Sequence, residues 1–579
     1  MDSTGGSRAL QSALLRARSG RNTIALESAT RGSFTLATLS DMGAMRWPHW
    51  IALHDATGSM TFLELHQAAR LFAHRLIALG VCEGDRVAIL GTKDTQTVVA
   101  ILGAAKAGAV YVPLDPSLPE ARLKFMLDDA DPRVVVGQAR LYPLAGGRMF
   151  IETAHCTHPH PRLRDNSANT PLPRVSPESV AYMMYTSGST GYPKGVQIEH
   201  RSVEAFFLAH NAGAEIQAGD RCMNTGPFHF DVSIMDVFLP LYFGASVVLT
   251  PEVPMPKLLL RTIEQHRITH FYAVGTILAL MTGDGRWLDQ YDLSSLRVLQ
   301  TGAEVCNPRV VNEWLARLPD LAFLNSYGPT EVTVGCLYYR KAEPGLLATD
   351  HDVPIGCLHP GSSALLLNAD GTRVTTPGTH GELCLSGAQL MHGYWKRQLE
   401  EEAAFTTIEG ERYYRTGDIV FADAEGLLHY VGRRDHEVKI DGCRIHLNEV
   451  KRCLEAHPLV ASASAFVVMN RQHRPRVAAA IVPRGELDAH GANELLANLA
   501  RELPQPALPL ALLICADLPR TATGKTDTRV CADVLQRALT HYVARTFVLT
   551  NADATPLEPS PNNTSRPYPC PADKPVCLQ

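Results

Sequence analysis

Long uninterrupted apolar runs are missing from this chain of 579 residues. The longest candidates, such as Val237 to Leu249, are broken up and fall well short of the ~20 residues a membrane-spanning helix needs, so no membrane partner is expected. A large charge of one sign is missing too. The net charge is −5, and nothing in it points to nucleic acid or an anionic membrane. The 13 cysteines include no Cys-x-x-Cys pair, which fits free, mostly structural thiols in a reducing cytoplasm. The first residues, Met1-Asp2-Ser3-Thr4-Gly5-Gly6, have no basic stretch followed by an apolar core, so no secretory signal is expected. What remains is an ordinary globular composition, 45% hydrophobic and 20% charged, in a chain long enough for more than one domain.

Along the chain, residues 1–45 show no sustained periodicity and read as an N-terminal arm. Thr61 and Glu64 form a capping-box pattern, Leu65, Phe72, Leu76 and Leu79 follow at helical spacing, and Gly80 stops the helix. Arg86 to Leu90 reads as a strand, Thr95 to Ala107 as a helix and Val110 to Pro113 as the next strand. A helix opened by Pro119 and a strand at Arg133 to Val136 continue the series. Such alternation predicts an α/β protein with parallel layers, continuing to about residue 430. The charged turn Gly432-Arg433-Arg434-Asp435 interrupts it. The spacing then predicts a smaller α+β unit with strands near 437–440, 464–468 and 477–482 and a helix near 448–456. The expected layout is an arm over 1–45, a large domain over 46–434, a small mobile domain over 435–540 and a tail over 541–579. Seven prolines in Asn551 to Gln579, with few large apolar residues, make that tail expected to be disordered.

The most informative segment is Thr186-Ser187-Gly188-Ser189-Thr190-Gly191-Tyr192-Pro193-Lys194-Gly195, which follows the apolar run Val180 to Tyr185. Glycines let the backbone wrap close to a ligand. Turned N–H groups, hydroxyls and one ammonium together make an anion cradle suited to a polyphosphate. The Walker pattern is excluded, because it needs Gly-Lys followed by Ser or Thr, whereas Lys194 lies between Pro193 and Gly195.

Tyr185 through Gly195 closely resemble the phosphate loop of the adenylate-forming superfamily, which includes nonribosomal-peptide adenylation domains, acyl-CoA synthetases and luciferases. The resemblance runs from roughly residue 50 to 530. Lys106 to Asp115 is similar to an early core segment. Asn325-Ser326-Tyr327-Gly328-Pro329-Thr330-Glu331 is similar to the adenine and metal segment. By that resemblance Tyr327 stacks on adenine, with Asn325, Ser326, Gly328 and Thr330 around it. Gly302, Ala303 and Glu304 line the base, and Glu331 holds Mg²⁺ near the phosphates of ATP. Gly381 to Cys384 and Gly393-Tyr394-Trp395 match a structural core. Tyr414-Arg415-Thr416-Gly417-Asp418 matches the ribose segment, with Asp418 accepting from the sugar hydroxyls. Asp435 resembles the interdomain hinge, with Arg433 near the ribose. Thr523-Gly524-Lys525 resembles the loop of the catalytic lysine, so Lys525, Lys194 and Thr190 are the expected catalytic groups. A lysine suits the role as a mobile point charge that counters charge developing on the α-phosphate. Three features depart from the family pattern. Leu503 to Pro509 lacks the usual Tyr-Met pair, Glu437 stands where a glutamine is common, and Asp441 stands where an arginine is common.

Within that resemblance, Phe230-Asp231-Val232-Ser233 decides the subclass. Asp231 matches the aspartate that pairs with an α-ammonium, and a buried carboxylate without a cation is costly. The other pocket positions carry over as Val232, Met235, Tyr272, Leu299, Thr301, Ser326, Val334 and Gly335. None but Tyr272 is ionisable, so the implied substrate is a small neutral amino acid, with proline as one candidate. No carrier motif follows Lys525 and no condensation domain precedes residue 50. The expectation is therefore a stand-alone enzyme of nonribosomal peptide synthesis whose acceptor is a separate phosphopantetheinyl carrier protein. The rivals are an acyl- or aryl-CoA ligase of the same superfamily and a catalytically inactive ATP-binding paralogue.

Overall fold

The computed structural model describes residues 34–157, 171–188, 192–251, 255–283, 286–434, 437–520, 526–541, 545–550 and 553–556. They fall into two compact units, divided between Arg444 and Ile445. Three sheets build the large unit. One has nine strands in the spatial order Cys357–Leu358, Leu337–Lys341, Ala322–Tyr327, Val298–Gly302, His270–Tyr272, Arg221–Asn224, Ser246–Leu249, Ile51–Asp55 and Gly58–Thr61. From Ala322–Tyr327 across to Ile51–Asp55 every pairing is parallel. The second, seven-stranded sheet has Val180–Thr186, Val110–Pro113, Arg86–Leu90, Val134–Gly137 and Met149–Glu152 as its parallel part, with Lys194–Glu199 and Gly393–Tyr394 added antiparallel.

The elements expected from periodicity are present. Thr61 caps the helix Phe62–Ala78, accepting from the Glu64 N–H while Glu64 accepts from the Thr61 N–H at 2.8 Å. Every residue of the helix Thr95–Lys106 except Gln96 is buried, in keeping with its apolar run Val98 to Ala105. Phe62, Phe72, Leu76 and Val98 to Leu102 are fully buried in the same cluster. Each such large side chain contributes roughly 1.5–3 kcal/mol by leaving water.

Four boundaries differ from expectation. The arm over 1–45 is not all arm: Leu36–Arg46 is a helix, with Phe34, Leu36 and Leu39 buried in the main core. It is fixed by Lys106, a buried lysine that donates to Ala37 O at 2.8 Å and to Asp41 Oδ2 at 2.5 Å. Its weak amphipathic pattern leaves it unmarked by periodicity. Residues 1–33 lie outside the described residues. The parallel alternation also stops before residue 430. Ser362–Leu367, Gly381–Gly387, Phe405–Ile408, Glu411–Ala422 and Leu428–Arg433 form a third sheet in which every pairing is antiparallel. The ribbon of Glu437–Ile440 and Cys443–His446 was expected in the small domain, yet up to Arg444 it packs with the large unit.

The small unit carries a five-stranded sheet in the order Val460–Met469, Pro475–Pro483, Leu512–Ile514, Thr546–Thr550, Asp553–Pro556. The helices Leu447–Glu455, Ala489–Leu499 and Thr528–His541 accompany it. Its last two strands fall inside the stretch expected as tail from 541, so the ordered sheet continues to Pro556. Residues 557–579 lie outside the described residues.

Candidate active site

The expected phosphate loop is the connection of a β-hairpin. Val180–Thr186 runs in, Lys194–Glu199 runs out, and Thr186 pairs with Lys194. Ser189, Thr190 and Gly191 at its tip lie outside the described residues, as do Asp435 and Lys525. The Thr186 and Ser187 hydroxyls are buried and make no hydrogen bond among the described residues. Unsatisfied donors of this kind, beside a lysine, suit a phosphate.

From Lys194 a continuous polar chain crosses the large unit. Lys194 Nζ donates to the Tyr394 hydroxyl at 2.7 Å and lies 3.4 Å from Glu331 Oε1. Tyr394 in turn donates to Glu331 Oε1 at 2.8 Å. The other oxygen, Glu331 Oε2, accepts from Arg444 Nη1 at 2.8 Å. Arg444 also forks onto Glu437, whose Oε2 accepts from Arg433 at 2.6 Å. Arg433 Nη1 donates to Asp418 Oδ1 at 2.9 Å, and the Tyr327 hydroxyl donates to Asp418 Oδ2. The chain thus joins Lys194, Glu331, Arg433, Asp418 and Tyr327, all expected site residues. It also includes Tyr394, Glu437 and Arg444, to which the sequence motifs assign no site role. Those motifs place Tyr394 in a structural core and mark Glu437 only as a departure from pattern.

Burial and pairing set the charges. Burial alone would push the Glu331 carboxyl up, but Arg444 and Lys194 outweigh it and hold it far below the usual carboxylate range. Burial lowers the Lys194 ammonium to about 8, against the pull of Glu331. Glu331, fully buried, is therefore an anion held by two cations. One carboxylate beside Lys194 and the hairpin connection fits Mg²⁺, which usually takes one or two protein carboxylates and completes its shell with substrate phosphates and water.

The two strand ends expected at the base lie side by side, with Gly302 paired to Ser326. A side chain at Gly302 would meet Ser326 O at 2.6 Å, and one at Gly328 would meet Gly335 Cα at 2.6 Å, so neither position admits a Cβ. The Ser326 hydroxyl is buried without a partner among the described residues. Two other expected nucleotide contacts are engaged within the protein. Glu304 accepts from Thr276 N–H and hydroxyl, both at 2.9 Å, and from Gly442 N–H at 2.8 Å. Asn325 Nδ2 donates to Pro354 O at 2.8 Å. Lys439 Nζ sits 5.6 Å from the centre of the Tyr327 ring.

The amino-acid pocket positions divide. Met235 and Tyr272 are buried in the main core cluster, and Val232 and Val334 pack against it. Leu299 instead belongs to a second cluster with Phe271 and Trp314. Thr301 is buried, with its hydroxyl unpartnered among the described residues. Asp231 is half-buried at the start of the Ile234–Phe238 turn of helix. Burial raises its carboxyl to about 6, against a hydrogen bond from Thr330 and the charge of Lys439. The neighbouring Asp236 differs. Its oxygens accept from Asn224 Nδ2 at 2.9 Å and from the Thr225 and Gly226 N–H groups at 3.0 Å, so it is occupied in holding the turn. Val334 and its neighbour Thr333 both have left-handed backbone, φ 68° and 49°. For β-branched residues this costs about 1–3 kcal/mol each, and it survives only where the surroundings enforce it.

The fold is that of the adenylate-forming enzymes. Residues 41–395 match the AMP-binding enzyme family and 449–525 match its C-terminal domain, and the chain belongs to that family. It is 33% identical to the L-proline--[L-prolyl-carrier protein] ligase of Pseudomonas fluorescens, over 83% of this chain and 95% of that one. It is 32% identical over 506 residues to a probable non-canonical nonribosomal peptide synthetase, CymA, of Salinispora arenicola, covering 86% of this chain and 6% of that one. It is 33% identical over 519 residues to the isonitrile lipopeptide synthase of Streptomyces coeruleorubidus, covering 86% of this chain and 33% of that one. The chain therefore spans only a small part of the length of these two synthases. Among solved structures, the amide bond synthetase McbA of Marinactinospora thermotolerans shares the fold with TM-score 0.75 at 24% identity, over 86% of this chain and 99% of that one. An artificially fused adenylation–PCP di-domain from Klebsiella oxytoca shares it with TM-score 0.73 at 24% identity, over 84% and 94%. Among the described residues no helix is long and apolar enough to cross a membrane.

Proposed function

We propose that the protein activates a small neutral amino acid, with proline a leading candidate, as its aminoacyl-AMP. It then passes the aminoacyl group to the phosphopantetheine thiol of a separate carrier protein. The observation that carries this reading is Asp231, a carboxylate with no ion pair among the described residues, next to the apolar Val232 and near the buried Tyr272. An α-ammonium would supply the missing partner, whereas a deaminated acid would leave the charge uncompensated. The similarity to a prolyl-carrier ligase supports the same substrate class and acceptor.

In the first step an oxygen of the substrate carboxylate attacks the α-phosphorus of ATP. The bond from that phosphorus to the bridging oxygen breaks, and pyrophosphate leaves with the electron pair. Lys194 and the hydroxyls of Thr186 and Ser187 are the groups proposed to hold the phosphates. Lys525 is the residue proposed to counter charge at the α-phosphate. Asp418 and Arg433 are proposed at the ribose and Tyr327 at the adenine. Glu331 is the proposed Mg²⁺ ligand, and the metal when bound would add positive charge at the phosphates. In the second step the carrier thiol attacks the acyl carbon and AMP leaves, with Asp435 proposed as the hinge.

Amino-acid-dependent exchange of labelled pyrophosphate into ATP tests this. One amino acid, proline or a close analogue, should drive exchange while its matched deaminated acid does not. Exchange driven equally by the deaminated acid would favour a CoA ligase. Absence of exchange with every acid would leave an inactive paralogue.

A further inference from the structure

We infer that Gln389 and His359 are positioning residues that set amino-acid selectivity by clamping the strained turn Thr333–Val334–Gly335. The inference rests on the amino-acid-activating reading above, because Val334 matters to selectivity only if the pocket it lines holds the substrate side chain.

Two consecutive β-branched residues with positive φ are unusual, and such a turn does not hold itself. The structure shows what holds it. Gln389 Nε2 donates to Gly335 O at 2.6 Å and to Thr333 O at 3.3 Å, and the Thr333 hydroxyl donates to Gln389 O at 2.6 Å. One buried side-chain amide thus commits both protons to the two carbonyls that flank Val334. Its oxygen must then accept, and it does, facing His359 Nδ1 at 3.0 Å. That contact fixes the Gln389 amide orientation and assigns the proton of His359 to Nδ1. Neither residue is more than 2% exposed. His359 is held in turn by the stacked Phe206 ring and by His210, 5.5 Å away, whose Nε2 meets Gln300 Oε1 at 3.0 Å. Gln300 lies on the strand between Leu299 and Thr301, so the clamp is tied to the sheet that carries other pocket positions. Val334 itself packs against the cluster that contains Met235 and Tyr272. Releasing the clamp lets the turn relax toward negative φ, which displaces the Val334 side chain from that wall.

A role through Val334 predicts loss of discrimination rather than uniform loss of activity. The test compares kcat/KM in pyrophosphate exchange for the preferred amino acid and for a homologue one methylene larger, with the KM for ATP as control. One methylene in an apolar pocket is worth roughly 10- to 200-fold. In Gln389→Ala the ratio should fall by about tenfold or more, while the ATP KM stays within about twofold. His359→Gln keeps an amide donor toward the Gln389 oxygen and should retain most of the discrimination, whereas His359→Leu should lose it as Gln389→Ala does. A folded Gln389→Ala with an unchanged ratio overturns the inference. If that variant does not fold, the two His359 variants decide, and equal ratios in both overturn it. Wild-type protein that exchanges with no amino acid would defeat the underlying reading and this inference together. An active wild type with unchanged ratios in the variants defeats this inference alone.

Discussion

Replacing Asp231 by asparagine should make the free protein more stable and the enzyme worse. Burial raises this carboxyl from 3.8 to about 6. At ~1.36 kcal/mol for each tenfold change in proton affinity, that difference is at most about 3 kcal/mol, and less in practice because the carboxylate is only half-buried. The folded state prefers the protonated form. The stability this residue contributes is therefore fully present below pH 3.8 and lost as pH rises from there to about 6. At pH ~7.5 the parent protein carries the full cost of the ionised form and Asp231→Asn does not. The variant should resist denaturant better by up to about 3 kcal/mol, and the difference should vanish near pH ~4. Binding runs the other way. A substrate ammonium needs the carboxylate ionised, so kcat/KM for the amino acid should fall about tenfold per unit below pH 6, with no such limb for ATP. Removing one partner of a buried ion pair costs ~3–5 kcal/mol, so the variant should lose roughly 10²- to 10³-fold in amino-acid affinity. Its acid limb should disappear as well. Chemical denaturation at pH ~4 and ~7.5, and exchange assays from about pH 5 to 8, supply the data. An asparagine variant no more stable than its parent at the higher pH would refute the argument, as would equal losses toward an amino acid and its deaminated analogue.

Lys525→Ala should lower kcat for adenylation by on the order of 10²-fold or more with little change in the KM for ATP, since its charge is needed chiefly at the transition state. Wild-type exchange by this variant would remove Lys525 from the mechanism. Lys194→Met should act on nucleotide instead. The loss of a charged donor, ~1.5–3 kcal/mol, should raise the KM for ATP or pyrophosphate about 10- to 100-fold, as steady-state kinetics would show. Truncation after Pro556 should leave melting temperature and exchange rate unchanged. Truncation after Thr550 removes the strand Asp553–Pro556 from the edge of the small unit's sheet and should lower the melting temperature; equal behaviour of the two truncations would contradict that assignment.

Where side-chain periodicity is strong, the fold was legible in the sequence. The Thr61–Glu64 cap, the helix Thr95–Lys106 and the strands Arg86–Leu90 and Val110–Pro113 stand where local pattern puts them. Elements set by partners far along the chain were not. The helix Leu36–Arg46 has a weak pattern of its own and is fixed by a lysine that lies 65 residues beyond Asp41. The ribbon beyond residue 436 is held to the large unit partly by contacts distant in sequence, Arg444 on Glu331, 113 residues away, and the Gly442 N–H on Glu304, 138 residues away. The site shows the same division. Residues in dense motifs, such as Lys194, Tyr327, Glu331 and Asp418, came with their neighbours. Gln389 did not, because a glutamine between Ala388 and Leu390 has no local signature. What it does depends on carbonyls 54 and 56 residues earlier.

Both oxygens of Glu331 are in use, Oε1 by Tyr394 and Lys194 and Oε2 by Arg444. A metal ion that claims Oε2 competes with the guanidinium, and so weakens one of the contacts that hold residues 437–444, beside Glu437 on Arg433 and the Gly442 N–H on Glu304. Occupancy of the carboxylate and position of the ribbon are therefore thermodynamically linked. Whatever factor ribbon docking takes from cation affinity, cation binding takes from ribbon docking. A fluorescent probe on the ribbon, at Asp441 for instance, would then report on Glu331 with no contact to it, and its signal would titrate with divalent ion and nucleotide added together.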